Sequence, residues 1–379
     1  MKILFLFPHF LTPGGAANVV LQLARALQER NHEVVIICAK VSKDFRERNA
    51  DLSFEELDIP TSNSILYWAL FRFWQKRINE RLNSHEDFVL FPHVLPSNWW
   101  AWMYKRKNRQ AKVVWYCNEP SAFVHSKSWI NAIPVKAMKW GAKVLNPLLK
   151  RIDIKLEKEN DRVICNSNFT AQQYRQVYGR NATAIIYPPL KIRPAMPLKN
   201  KEKFVLTVGR LSKFKKIDVL INALRRVLEQ EPGINLVIVG DGEDRPRLKR
   251  LVEKLHLEHA VRFEGTVSKE RLEALYKNAM VSVICAMDEP FGLVPIESMM
   301  YGTPVIAHNS GGPRETICHG FTGFLYNTED ELVELIRNVF RLDYGQYSLM
   351  QQQCIDKLPK YDIANAVVSL EKLLQSIAS

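Results

Sequence analysis

From Lys2 to Cys165, short apolar runs alternate with stretches whose apolar residues return every three or four positions, and the alternation restarts after a proline-rich break. The runs Lys2–Phe7, Val34–Cys38, Phe88–Phe91, Lys112–Tyr116 and Arg162–Cys165 have the unbroken apolar character of strands buried on both faces. Between the first two, Val19, Val20, Leu23, Ala24 and Leu27 keep a helical period behind the loop Thr12–Asn18. Pro188–Pro197 carries four prolines in ten residues, which neither a helix nor a central strand tolerates, and it reads as a linker. Strands are expected again at Phe204–Val208, Leu236–Val239, Val261–Phe263, Val281–Ile284 and Pro304–Ala307, with helices at Ile217–Glu231, Arg245–Leu255, Lys269–Asn278 and Val294–Tyr301. A last amphipathic helix spans about Asp362–Ile377. Such a rhythm makes two doubly wound α/β units, whose ligands bind at the carboxyl ends of the strands, in the cleft between the units. The expected division is 1–190 for a first Rossmann-like domain, 191–360 for a second and 361–379 for a C-terminal helix packing back on the first.

A chain of 379 residues suits two cores better than one. Its net charge of +13 is concentrated: residues 61–160 hold 17 Lys and Arg against 7 Asp and Glu, which points to an anionic partner. The six cysteines are dispersed without a C-x-x-C pair, so buried thiols are expected rather than a metal or redox site. The apolar run Ile3–Phe7 is too short for a signal peptide core, and no stretch approaches the ~20 apolar residues of a membrane span. A cytoplasmic location is the expectation. No nucleic-acid motif accompanies the basic residues, which excludes that class of partner.

Three segments carry chemistry. Gly14-Gly15 follows the first strand and precedes a helix, so free amides there suit a phosphate. Gly209-Arg210-Leu-Ser-Lys213-Phe-Lys215-Lys216 sets cations at the end of the strand that opens the second unit. Fixed cations at that place suit a diphosphate leaving group, whose charge grows as a glycosidic bond breaks. Glu289 and Glu297 flank Pro-Phe291-Gly292-Leu293, and Glu297 falls among Val294, Ile296, Met299 and Met300, where a carboxylate is costly unless it binds something. Gly240-Asp-Gly242 lacks the third glycine of the dinucleotide fingerprint, which disfavours a nicotinamide enzyme.

Glu289-x7-Glu297, with Gly209-Arg210…Lys215, Val239-Gly240-Asp-Gly242-Glu243 and Ser310-Gly311-Gly312-Pro-Arg-Glu315…Thr322-Gly323, resembles the family 4 retaining glycosyltransferases of the GT-B fold. The resemblance is dense over 204–330 and looser over 1–40. It implies that Glu289 contacts hydroxyls of the transferred sugar and Glu297 the ribose of the nucleotide. Arg210 and Lys215 would bind the diphosphate, with Gly14 and Gly15 facing it from the first domain. Phe291, Gly292 and Leu293 would donate amides, Gly209 and Gly240 would line the donor site, and Val267 would frame the base. Lys216 stands where relatives commonly have glycine, so either lysine is a candidate for the phosphate. The resemblance implies front-face displacement with retention, needing no cofactor and no metal. Asn309–Glu315 and Tyr116–Phe123 resemble mannosyltransferases of lipid-linked or surface glycans, which makes GDP-mannose the leading donor and a UDP-sugar the alternative. Another GT-B enzyme, such as an epimerase or phosphorylase, and an inactive carbohydrate-binding or scaffolding subunit are the competing readings.

On the acceptor side, His93, Asn118, Glu119 and His125 are the candidates, Asn118 standing where relatives often have histidine. All eight tryptophans lie between Trp68 and Trp140, within the basic span. Aromatics and cations together suggest peripheral contact of residues 61–160 with an anionic membrane, at its inner face, and fit a glycan or lipid-linked acceptor.

Overall fold

The computed structural model describes residues 1–11, 14–61, 71–125 and 136–378. Thr12, Pro13, Trp68 and Trp129 lie outside the described residues. The chain divides into two compact units, Met1–Leu190 with Ile363–Ser379 and Lys191–Asp362.

Among the described residues of the first unit seven parallel strands run β1 (Lys2–Phe10), β2 (Glu33–Val41), β3 (Ser53–Glu56), β4 (Phe88–Pro92), β5 (Lys112–Cys117), β6 (Arg162–Cys165) and β7 (Ala184–Ile185). Their spatial order is β3-β2-β1-β4-β5-β6-β7, so the direction of winding reverses between β1 and β4. Alternate residues of β1 enter different cores: Ile3, Phe5 and Phe7 join one cluster, Leu4 and Leu6 the other. That two-sided burial explains the continuous apolar run. The strand was expected to stop at Phe7, before Pro8, but it reaches Phe10. Its pairing with β4 ends at Leu6, while pairing with β2 continues to Phe10, so Pro8 sits where the ladder is one-sided. Residues Gly15–Gln28 are helical, which shortens the expected Thr12–Asn18 loop.

The second unit repeats the plan with six parallel strands: β8 (Glu202–Val208), β9 (Asn235–Val239), β10 (Val261–Gly265), β11 (Ala279–Ile284), β12 (Val305–His308) and β13 (Gly323–Tyr326). The order β10-β9-β8-β11-β12-β13 reverses between β8 and β11. Helix Ile217–Leu228 buries Ile217, Leu220, Ile221, Leu224 and Val227 on one stripe against this sheet. The C-terminal helix Ile363–Ala378 belongs to the first unit, where Val367, Leu370 and Leu374 join the cluster containing Leu23 and Leu27. Arg30 and His32 close its edge on Glu371, through Nε at 2.8 Å and Nε2 at 2.9 Å.

Candidate functional site

The carboxyl ends of β8 and β11 are the floor of a pocket lined by Thr207, Val208, Gly209, Lys215, Ile284, Cys285, Glu289 and Gly292, among others. Parallel strands that diverge at a reversal of winding leave such a notch. Lys215 closes a single 3₁₀ turn, Lys213–Lys215, directly after β8. Its Nζ donates to both carboxylate oxygens of Glu289, at 2.7 and 2.8 Å. Glu289 itself is held by main chain. Gly312 N donates to its carbonyl at 2.7 Å, and Ser310 Oγ accepts from Asp288 N at 2.9 Å. At Gly311, φ is +68° and a Cβ would lie 2.5 Å from the Glu289 carbonyl oxygen, so only glycine permits this contact.

Glu297 sits on the helix Leu293–Met299 behind the pocket. Burial lifts its carboxyl above the ordinary range, and the Tyr276 hydroxyl, donating to Oε2 at 2.9 Å, opposes that rise. Tyr276 stacks on Tyr301 at 6.0 Å with the rings 4° from parallel, and Val267 packs in the same cluster with Val294. Lys201 ties the two supporting elements together: its Nζ donates to the carbonyls of Lys277 and Tyr301 and to Thr303 Oγ1. Burial brings the Lys201 ammonium down to about 7. Cys285, although it lines the pocket, has its thiol pushed up to about 12 by burial, which makes it a poor nucleophile.

The structure thus brings Gly209, Lys215, Glu289 and Gly292 together, with Val267 and Glu297 in the adjoining cluster. Phe291 is buried and its ring packs 5.8 Å from that of Tyr361, while Leu293 begins the helix that Gly292 caps. Arg210 is elsewhere: its exposed guanidinium pairs with Glu243 at 3.3 Å. Lys216 adopts φ +47° and caps Ile217–Leu228, and its side chain reaches Met287 and a groove shared with Lys213, Asp218 and Arg247. Of the two adjacent lysines it is Lys215 that faces the acid. Gly240 has a packing reason of its own, because a Cβ there would lie 2.0 Å from the Gly209 carbonyl oxygen. Gly14 caps Gly15–Gln28 with extended backbone, Gly15 is exposed, and nothing lies within 4 Å of a Cβ at Gly14.

The acceptor-side candidates divide sharply. His93 is fully buried and stacks on Phe5 at 5.6 Å, and burial brings its imidazole down to about 3. It is a neutral core residue, not an exposed proton carrier. His125 Nε2 lies 2.8 Å from Asp153, which also accepts from Trp99, Ser121 and Tyr178. Asn118 and Glu119 follow β5 half-buried, the Asn118 carbonyl accepting from Asn166 at 3.0 Å. Tyr276, Lys201 and Asp153, which hold Glu297, the neighbouring elements and His125, were not singled out in the sequence. For Tyr276 the only signal was an aromatic on the helix preceding the acid-bearing loop.

Two family profiles match the chain. Glycosyltransferase Family 4 matches residues 13–192, and glycosyl transferases group 1 matches residues 190–356. The uncharacterized glycosyltransferase MJ1607 of Methanocaldococcus jannaschii is 40% identical over 134 residues, 35% of this chain and 34% of that protein, so the chain spans about a third of its length. Alpha-1,3/1,6-mannosyltransferase ALG2 of Mus musculus is 25% identical over 371 residues, covering 86% of this chain and 83% of that protein. Among solved structures, Anabaena Alr3699/HepE in complex with UDP and glucose superposes with a TM-score of 0.78 at 20% identity, over 99% of this chain and 100% of that one.

Proposed function

Since the chain belongs to the family 4 glycosyltransferases and has the GT-B fold, we propose that it transfers mannose from GDP-mannose to a glycan or lipid-linked hydroxyl with retention of the α configuration. One observation carries the reading: the Lys215 ammonium and the Glu289 carboxylate face each other across a pocket at the strand ends, 2.7 Å apart. A bound diphosphate competes for the ammonium and frees Glu289 to accept from sugar hydroxyls. The acceptor hydroxyl then bonds to the anomeric carbon as the carbon–phosphate oxygen bond breaks. The electron pair goes to the diphosphate, whose oxygen takes the acceptor proton, and Lys215 stabilises the charge that grows there. Glu297 holds the ribose, and Arg210 swings from Glu243 to the phosphates. In this reading a fixed cation does the work of a metal ion, and no carboxylate acts as nucleophile. The relationship to a mannosyltransferase over most of both chains favours the sugar.

Nucleotide release from GDP-mannose and from UDP-sugars, with and without an acceptor, tests the assignment. Release from GDP-mannose alone, stimulated by the acceptor, is expected, and a one-bond C1–H1 coupling in the α range in the product supports retention. Turnover of UDP-glucose and not GDP-mannose would transfer the reading to that donor. Protein inert toward every donor while nucleotide still stabilises it would identify a binding subunit. A covalent glycosyl-Glu289 species in mass spectra would overturn the front-face step.

A further inference from the structure

The aromatic and basic span of residues 61–160 separates into two populations. Trp99, Trp100, Trp102 and Trp115 are core residues, at most 4% exposed. Three of them find indole acceptors inside: Trp99 on Asp153, Trp102 on Asn160 and Trp115 on the His93 carbonyl. They offer nothing to a membrane, and the broad patch expected from the sequence shrinks accordingly. Trp140 is different. It is 71% exposed and opens an outward stripe on the helix Lys136–Glu157, continued by Val144, Leu145, Leu148 and Ile152. Steps of three and four residues keep these side chains on one side of the helix.

The charges of this helix are sorted by sign. Its two acids, Asp153 and Glu157, are buried, at 0 and 1% exposure. Asp153 accepts from Trp99 Nε1 at 2.6 Å, Ser121 Oγ at 2.7 Å, Tyr178 at 2.7 Å and His125 at 2.8 Å. Glu157 is taken up by Tyr174 and by Arg180 Nε at 3.1 Å. The cations Lys143, Arg151 and Lys155 are exposed, Lys150 is half-buried, and none of the four has an acidic partner among the described residues. The outward face is therefore apolar and purely cationic.

We propose that the outward face of Lys136–Glu157 docks into the interface of an anionic lipid bilayer. A bilayer supplies both things the face lacks, hydrocarbon for Trp140, Val144, Leu145 and Leu148 and negative headgroups for the flanking cations. A second copy of the chain is disfavoured, since a two-fold contact would press these cations against their own symmetry mates. Asp153 gives the docking a consequence inside the unit. It is on the same helix, and it grips Ser121 and His125 in the segment after β5, so Asn118 and Glu119 are carried at a fixed offset from the lipid. The docking surface stands on the helix alone; the link to a membrane-borne acceptor rests on the transfer reading, and the two are measured separately.

Flotation of the full chain with vesicles of phosphatidylcholine, and of phosphatidylcholine with phosphatidylglycerol, is the test. Binding to the anionic vesicles at low salt, and not to the neutral ones, is expected. Leu145→Glu with Leu148→Glu should weaken it by about tenfold or more, and Lys143→Gln, Arg151→Gln and Lys155→Gln together by a similar factor. If the first variant melts early, Trp140→Ser trims the other end of the stripe and is expected to lower binding too. Wild type that fails to float with anionic vesicles, or folded variants that float as it does, would overturn the proposal. So would a wild-type dimer that the leucine substitutions split, which would make a second copy the occupant.

Discussion

Lys215 Nζ bridges both carboxylate oxygens of Glu289, although 74 residues separate the two in the chain. Both side chains are partly exposed, so their ion pair contributes little to folding, of the order of 1 kcal/mol or less. On the proposed transfer its importance is chemical. Lys215→Met should lower kcat/KM by roughly 10²–10³-fold, the usual cost of removing one preorganised charge from a transition state. Glu289→Gln should lose a comparable factor, with both variants melting close to wild type. Steady-state kinetics beside thermal melts separates the two effects.

Glu297 is raised by burial, so the sign of its contribution is set. A carboxyl lifted in the fold above its ordinary 4.5 stabilises most at acid pH and loses that contribution as pH rises through its folded value. At neutral pH its ionised form is a burden on the unliganded protein. Glu297→Gln is expected to raise the melting temperature at pH 7 by roughly 2–4 °C while diminishing the further shift produced by nucleotide. A variant that melts lower, or responds to nucleotide like wild type, would remove Glu297 from the donor site.

The glycines of the two units predict opposite outcomes. Gly240→Ala would force a Cβ to within 2.0 Å of the Gly209 carbonyl oxygen, and a loss of about 3 kcal/mol or more is expected in denaturant unfolding. Gly14→Ala has open space and extended backbone, so stability should be retained. Any effect of that variant on turnover then reports on ligand approach and not on folding.

Lys216 occupies the left-handed region at φ +47°. Replacing it with glycine relieves strain at a position where its ammonium does not face Glu289. Lys216→Gly should be neutral or stabilising by up to about 1 kcal/mol, with nucleotide affinity kept within about threefold. The same assay on Lys215→Gly should show loss.

Donation from Arg30 and then His32 holds the Glu371 carboxyl down to about 2. A lowered carboxyl gives stability that is present above the ordinary 4.5 and is lost as pH falls toward 2. Hydrogen exchange near Glu371 in Ile363–Ala378 should therefore rise modestly in that window while the buried Leu370 and Leu374 keep the helix docked, and Glu371→Gln should show the same modest rise already at pH 7.

The long apolar strands and the restart after the prolines were legible because two-sided burial leaves no polar alternation to confuse them. The edge strands of the first sheet were not. Ser53–Glu56 mixes polar with apolar residues, Ala184–Ile185 is only two residues long, and both are defined by a partner the sequence does not display. In the site, Lys215 and Glu289 were singled out from the strand-end motif and its resemblance, and in the structure it is Lys215 that contacts Glu289 while Lys216 reaches Met287. The four core tryptophans were misleading for a physical reason: an indole beside cations looks amphipathic until its buried acceptor is known. Asp153, Asn160 and the His93 carbonyl are those acceptors, and sequence places them 22 to 58 residues away.

The main chain of Ser310–Gly312 is wedged against that of Asp288–Phe291, with space for a Cβ at neither Gly311 nor Gly312. On the proposed transfer, loop remodelling is thereby closed as a route to a new donor: shifting one strand-end loop would drag the other with it. Retuning would then have to come from side chains around a rigid frame, among them Thr207, Cys285 and Val294 on the pocket wall.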